Sequence, residues 1–219
     1  MRKAIMAAAG AAVFFFAGGL WAQPFSSQGT FAISAERVFG LPWYESTHVE
    51  WDHGRPPDND EEDHSRTSWG IAWAAPATPY AVPRFAVDYF VIDHLSIGGA
   101  LAFVSASDDT DGPGGDVDRS AFLLAPRVGY AIPFGAVAGF WPRGGLTFVS
   151  EGGDGDDGSE LALTLEPLFW LAPAEGVAFV LGPVLDVGLV GSWENDDTDE
   201  DGDFRRTAVG ISVGLMGWF

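Results

Sequence analysis

The stretch that most constrains this chain is its last one, Arg206 to Phe219. One alternate set reads Thr207, Val209, Ile211, Val213, Leu215, Gly217, Phe219 and is mostly apolar. The other reads Arg206, Ala208, Gly210, Ser212, Gly214, Met216, Trp218 and is small, polar or charged until its end. Side chains of a strand alternate between its two faces. Strict alternation over this length therefore means a strand with one face in an apolar medium and the other elsewhere.

Composition sharpens the reading. Hydrophobic residues make up 47% of the 219 residues, yet the formal charge is −20. A disordered acidic chain would lack that apolar content. The two classes are segregated: segments 41–66, 107–118, 151–158 and 192–204 hold 24 of the 31 acidic residues. Cysteine is absent, which excludes disulfides, thiolate metal sites and a lipoprotein anchor. The amino terminus reads as a secretory signal, residues 1–22. Arg2 and Lys3 precede an apolar run over 4–19, and Leu20-Trp21-Ala22 ends it. The remaining domain, 23–219, carries nine arginines against 31 acids, nine less 31 or −22. Such a charge excludes nucleic acid as a partner.

Between the acidic segments lie alternating runs of the length a tilted membrane strand needs. They are 28–40, 83–92, 95–106, 120–131, 138–150, 160–171 and 177–191, followed by the terminal one. The connections alternate between short turns and long acidic loops. Periplasmic turns of membrane barrels are short and external loops long, and an even strand number satisfies that parity. The spacing predicts an all-β, antiparallel up-and-down transmembrane barrel of eight strands. Ten is the alternative, if 45–51 and 67–75 also span. In the eight-strand reading, 46–51 and 67–74 form an external hairpin with the acidic run 58–63 at its tip. Pro126, Pro142, Pro167 and Pro183 fall inside strands, where each removes a ladder hydrogen bond, so bulges or kinks are expected.

Alternation, loop parity and the terminal Phe219 resemble the small bacterial outer-membrane β-barrels, the OmpA/OmpX-like eight-stranded family. Gly217 departs from that family's closing pattern, which has a bulkier residue there. The resemblance implies an outer-membrane location. It also implies outer-membrane lipid and lipopolysaccharide around the wall, and a barrel assembly machinery that reads Phe219 as its signal.

Inward positions collect Glu36, Arg84, Asp88, Arg127, Arg143, Glu160, Glu166, Asp186 and Arg206. Counted along their strands, Arg127, Arg143 and Glu166 fall in the lower half, and Glu36, Asp186 and Arg206 higher. Eight strands leave room for side chains and little else, so a paired network filling the lumen is expected. Arg37 falls with the apolar set, near enough to the strand end to reach the interface. Trp43, Tyr44, Trp51, Trp69, Trp73 and Tyr80 crowd the first loop, as an aromatic girdle does.

Asp197, Asp199 and Asp201 match the first half of an EF-hand loop, but its twelfth position is Ala208 where a bidentate Glu is needed. The expectation is no cofactor, with at most weakly bound calcium. Ser46, Ser65, His48, His53 and His64 share the first loop, and no His lies on a strand face beside a Ser. Three functions follow in order: a structural or cell-surface barrel with a filled lumen, a small cation-preferring channel or hydrophobic carrier, and a lipid-modifying enzyme.

Overall fold

The computed structural model describes residues 24–38, 42–52, 61–68, 79–108, 117–153, 156–195 and 200–219. The strands are β1 (Phe31–Glu36), β2 (Trp43–Asp52), β3 (Glu61–Ser68), β4 (Arg84–Ile92), β5 (Leu95–Asp108), β6 (Val117–Tyr130), β7 (Ile132–Pro133), β8 (Ala138–Gly153), β9 (Asp156–Ala174), β10 (Val177–Asn195) and β11 (Glu200–Trp218). Neighbours pair antiparallel in the order β1-β4-β5-β6-β8-β9-β10-β11, and β11 returns to β1. Eight staves therefore close a barrel. The short β7 adds only Ile132 and Pro133 opposite Phe140 and Gly139.

The alternation sorts side chains as it must. On β9, Leu163, Leu165, Phe169 and Leu171 are exposed, while Ala162, Thr164, Glu166 and Leu168 between them are buried. The apolar medium is outside. Phe103, Val128, Leu101 and Phe179 continue the same exposed belt around the wall, and an apolar surface of that extent belongs in lipid. No helix among the described residues is long and apolar enough to cross a membrane.

Among the described residues the closed wall has eight staves, and the hairpin β2–β3 continues the sheet from β11. β2 pairs with the upper part of β11, from Asp201↔Asp52 to Gly210↔Trp43, whereas β1 pairs with its lower part, from Ala35↔Leu215 to Ala32↔Trp218. Thus β1 and β2 share one edge of a single long strand and together make one broken stave. The hairpin returns earlier than expected: β3 is Glu61–Ser68, so Glu61, Glu62 and Asp63 of the acidic run pair with β2 instead of forming the tip. β2 thus pairs with β11 along one edge and with β3 along the other.

The prolines do not shift the register. Pairing lapses between Leu124↔Phe148 and Arg127↔Gly145, and between Leu181↔Phe169 and Leu185↔Leu165, with the same offset on both sides. Pro142 lies directly opposite Pro167. The register shifts fall elsewhere, at Phe90/Ile92, Val177/Phe179, Gly188/Val190 and Val187/Ser192. A missing donor interrupts a ladder without inserting a residue, and a bulge needs the insertion.

Candidate functional site

The barrel interior is layered. An aromatic cluster of Phe90, Trp141, Trp170 and Trp218 lies at the short-turn end. Above it sits a layer of charge. Arg127 on β6 donates to both oxygens of Glu36 on β1, at 2.7 and 2.8 Å, and to both oxygens of Asp88 on β4, at 2.6 and 3.1 Å. Arg143 on β8 donates to Glu36 at 2.7 Å and to Glu166 on β9 at 2.8 Å. Arg37 donates to Glu166 and to Asp186 on β10, each at 3.1 Å, and to the Tyr80 carbonyl. Arg84 donates to the same carbonyl at 3.0 Å. The second oxygen of Asp186 accepts from Thr164 at 2.5 Å, which leaves Thr147 to donate to Thr164 at 2.6 Å.

Among the described residues the layer thus holds four guanidiniums and four carboxylates and is neutral, with Arg37, Arg127 and Arg143 bonded to the carboxylates and Arg84 to the Tyr80 carbonyl. Every member is buried. Desolvating charges costs several kcal/mol each, and only close, multiply bonded pairing offsets it. The bidentate forks at Glu36 and Asp88 supply that geometry. The Arg143 guanidinium also lies 4.7 Å over the Trp141 ring, and Arg37 lies 5.0 Å over Trp43. Space for this packing is made by Gly129, where a Cβ would fall 2.6 Å from Trp141 Nε1 and 2.9 Å from Arg143 Cγ.

Three expectations are corrected here. Arg37 does not reach the lipid interface; it is 1% exposed in the lumen. β1 ends at Glu36, and Arg37 takes φ 54°, which turns its side chain inward against the alternation. Glu36 and Asp186 do not stand above Arg127, Arg143 and Glu166; all lie in one layer. Strands of a barrel tilt and stagger, so equal counts along neighbouring strands are unequal heights. Trp43 and Tyr80 are not girdle residues: they are 3% and 0% exposed, whereas Tyr44 faces outward at 48%. Tyr80 belongs to a short 3-10 turn, Pro79–Ala81, that dips into the lumen and is pinned there by Arg37 and Arg84. Trp69 and Trp73 lie outside the described residues.

Arg206 does stand higher. Its guanidinium approaches Glu151, Glu160 and Glu45 at 3.4, 3.7 and 3.9 Å, and its N–H donates to Glu160 at 3.2 Å. Three carboxylates around one guanidinium leave the vestibule negative. Asp197 and Asp199 lie outside the described residues, and Asp201 is an exposed strand residue opposite Glu194. No group of three or more carboxylate or imidazole side chains among the described residues is placed to hold a metal ion. Ser46↔Ser65, Thr47↔His64 and His48↔Asp63 are cross-strand pairs of the hairpin; His53 lies outside the described residues. Sequence reasoning missed one Ser–His contact: Ser26 Oγ lies 3.1 Å from His94 Nδ1, at the short-turn end. Ser26 is 2% exposed, so a substrate has no approach to it.

No protein-family model and no characterised relative matches this chain in sequence. Solved structures do match. The outer membrane protein OprG from Pseudomonas aeruginosa aligns with TM-score 0.50 and 13% identity, over 88% of this chain and 97% of that one. Its fold is that of a small bacterial outer-membrane β-barrel. Neisserial surface protein A aligns over 87% of this chain and 99% of that one, with TM-score 0.45 and 11% identity. The outer membrane protease OmpT from Escherichia coli aligns over 91% and 99%, with TM-score 0.41 and 9% identity. The apolar belt and the closed antiparallel wall place the outer-membrane barrel across a bilayer on physical grounds as well.

Proposed function

We propose that this outer-membrane barrel is a non-enzymatic structural and cell-surface element whose lumen conducts nothing. The observation that carries the reading is the neutral charge layer, which bridges opposite walls through Arg37, Arg127 and Arg143. A pathway for solute would have to break several charge-assisted bonds at once, each break exposing a buried charge. The acidic segments then act as an outer surface, repelling anions and other copies. Lipid and lipopolysaccharide are the expected surroundings of the wall.

The transport reading draws support from the excess of carboxylates around Arg206, since a negative vestibule concentrates cations. That vestibule leads down onto the closed layer, which favours the surface role.

Cells lacking the protein test the choice. Their electrophoretic mobility should become less negative, because an external face rich in Asp and Glu is lost, while uptake of small ions and sugars stays the same. Reduced uptake with unchanged mobility would favour transport.

A further inference from the structure

We infer that residues Pro24–Thr30 are a stopper for the short-turn mouth of the barrel, with Phe25 seated in an aromatic socket as its plug. This does not depend on the surface role proposed above. Phe25 precedes every strand, yet it is only 7% exposed. Its ring meets four others edge-on: Trp170 at 4.9 Å, Phe90 at 5.2 Å, Trp141 at 5.4 Å and Trp218 at 5.5 Å. These rings come from β9, β4, β8 and β11, so the socket is a ring drawn from around the barrel and Phe25 fills its centre. Edge-to-face contact is the favoured arrangement of aromatic pairs, and here one ring makes four such contacts.

The segment is also latched. The Gln28 N–H donates to Asp93 at 2.8 Å, the Gly29 N–H to the Phe90 carbonyl at 2.9 Å, and the His94 N–H to the Ser26 carbonyl at 2.7 Å. Ser26 Oγ meets His94 Nδ1, and the Gln28 side chain donates to the Val91 carbonyl at 3.2 Å. Ser26, Gly29 and His94 take φ 76°, 89° and 72°. Left-handed backbone at Ser26 is unfavourable and persists only where the surroundings over-determine it, whereas that of His94 belongs to the tight β4–β5 turn onto which the segment latches. A segment that merely led into β1 would need none of this. Doubling back through its two left-handed residues, Ser26 and Gly29, places one ring in the socket. Phe25 also shields the charge layer above from water, and those ion pairs hold strongly only while dry.

Cysteine chemistry tests the stopper, because the chain has no cysteine of its own. Ala178, in the same cluster and 0% exposed, becomes the reporter as Ala178→Cys. In the folded, detergent-solubilised barrel a hydrophilic maleimide should label it slowly. Adding Phe25→Ala should speed labelling roughly a hundredfold, since losing a buried Phe shifts local opening by that order. Phe25→Leu should restore most of the protection. Heat-modifiable gel migration checks that each variant is folded. An unchanged rate in folded Phe25→Ala overturns the inference. Should Phe25→Ala not fold, amide exchange in the unaltered protein decides. The Gly29 and His94 amides should exchange as slowly as those of β1, and exchange at open-chain rates overturns the stopper.

Discussion

Arg37 Nη2 lies 3.1 Å from Glu166 Oε1, with the two side chains 1% and 2% exposed, and the pair joins the end of β1 to the middle of β9 across the lumen. β1 and β9 are not neighbours in the wall. A bond of this kind ties staves that no ladder connects, and it works only because Arg37 leaves the alternation of its own strand. Glu166 is the hub of that bridge, since it also meets Arg143 at 2.8 Å and Arg127 at 3.5 Å.

Replacing Glu166 with Ala leaves three guanidiniums short of a buried partner. The expected loss is ~3–5 kcal/mol, the range for breaking one side of a buried pair. Asp203→Asn, on the exposed outer face of β11, should change stability by less than ~0.5 kcal/mol. Urea titration of the two variants checks this, and equal losses would remove the network from the account.

How far the sequence led can be judged from particular residues. The strand positions were readable because alternation reports the two faces directly, and the turns at Asp93-His94 and Glu175-Gly176 were readable because they interrupt it. Arg37 was misassigned, since one left-handed residue reverses the parity that the reading depends on. The signal was present: a guanidinium in an apolar set, just before a loop. Grouping by height failed for Glu36 and Asp186 because barrel shear is not written in any one strand. The seating of Phe25 and the inward dip of Tyr80 were missed because neither segment has a period. Contacts made by irregular chain are decided by the socket they enter, and the socket exists only once the barrel closes.

Phe219 extends the ladder between β1 and β11 that closes the barrel. Phe31 and Phe219 exchange two backbone bonds, at 3.0 and 3.1 Å, and their rings stack at 6.1 Å. In lipid an unpaired strand edge costs several kcal/mol for each open group. Deleting Phe219 should therefore lower the yield of folded, heat-modifiable barrel. Undiminished yield and migration would count against its role in closure.

The outer rim should respond to divalent cations. Asp157, Glu194 and Asp201 are exposed and lie in one row across β9, β10 and β11. Like charges placed directly opposite destabilise a sheet. Calcium at millimolar level should raise the melting temperature more than sodium at equal ionic strength, and substituting Asp197, Asp199 and Asp201 together by Asn should shrink the increment. Identical effects of the two salts would reduce the rim to a screened surface.

Orientation has its own consequence. Protease added to intact cells should cut within 107–118 and 192–204, the acidic segments at the end away from the short turns. Cleavage there only after the outer membrane has been opened would invert the barrel.

The closed lumen is tested most directly by single-channel recording in planar bilayers with the unaltered, folded protein. The charge layer predicts no discrete conductance steps at any applied voltage the bilayer withstands. A stable, cation-selective step conductance from that protein would contradict the filled barrel.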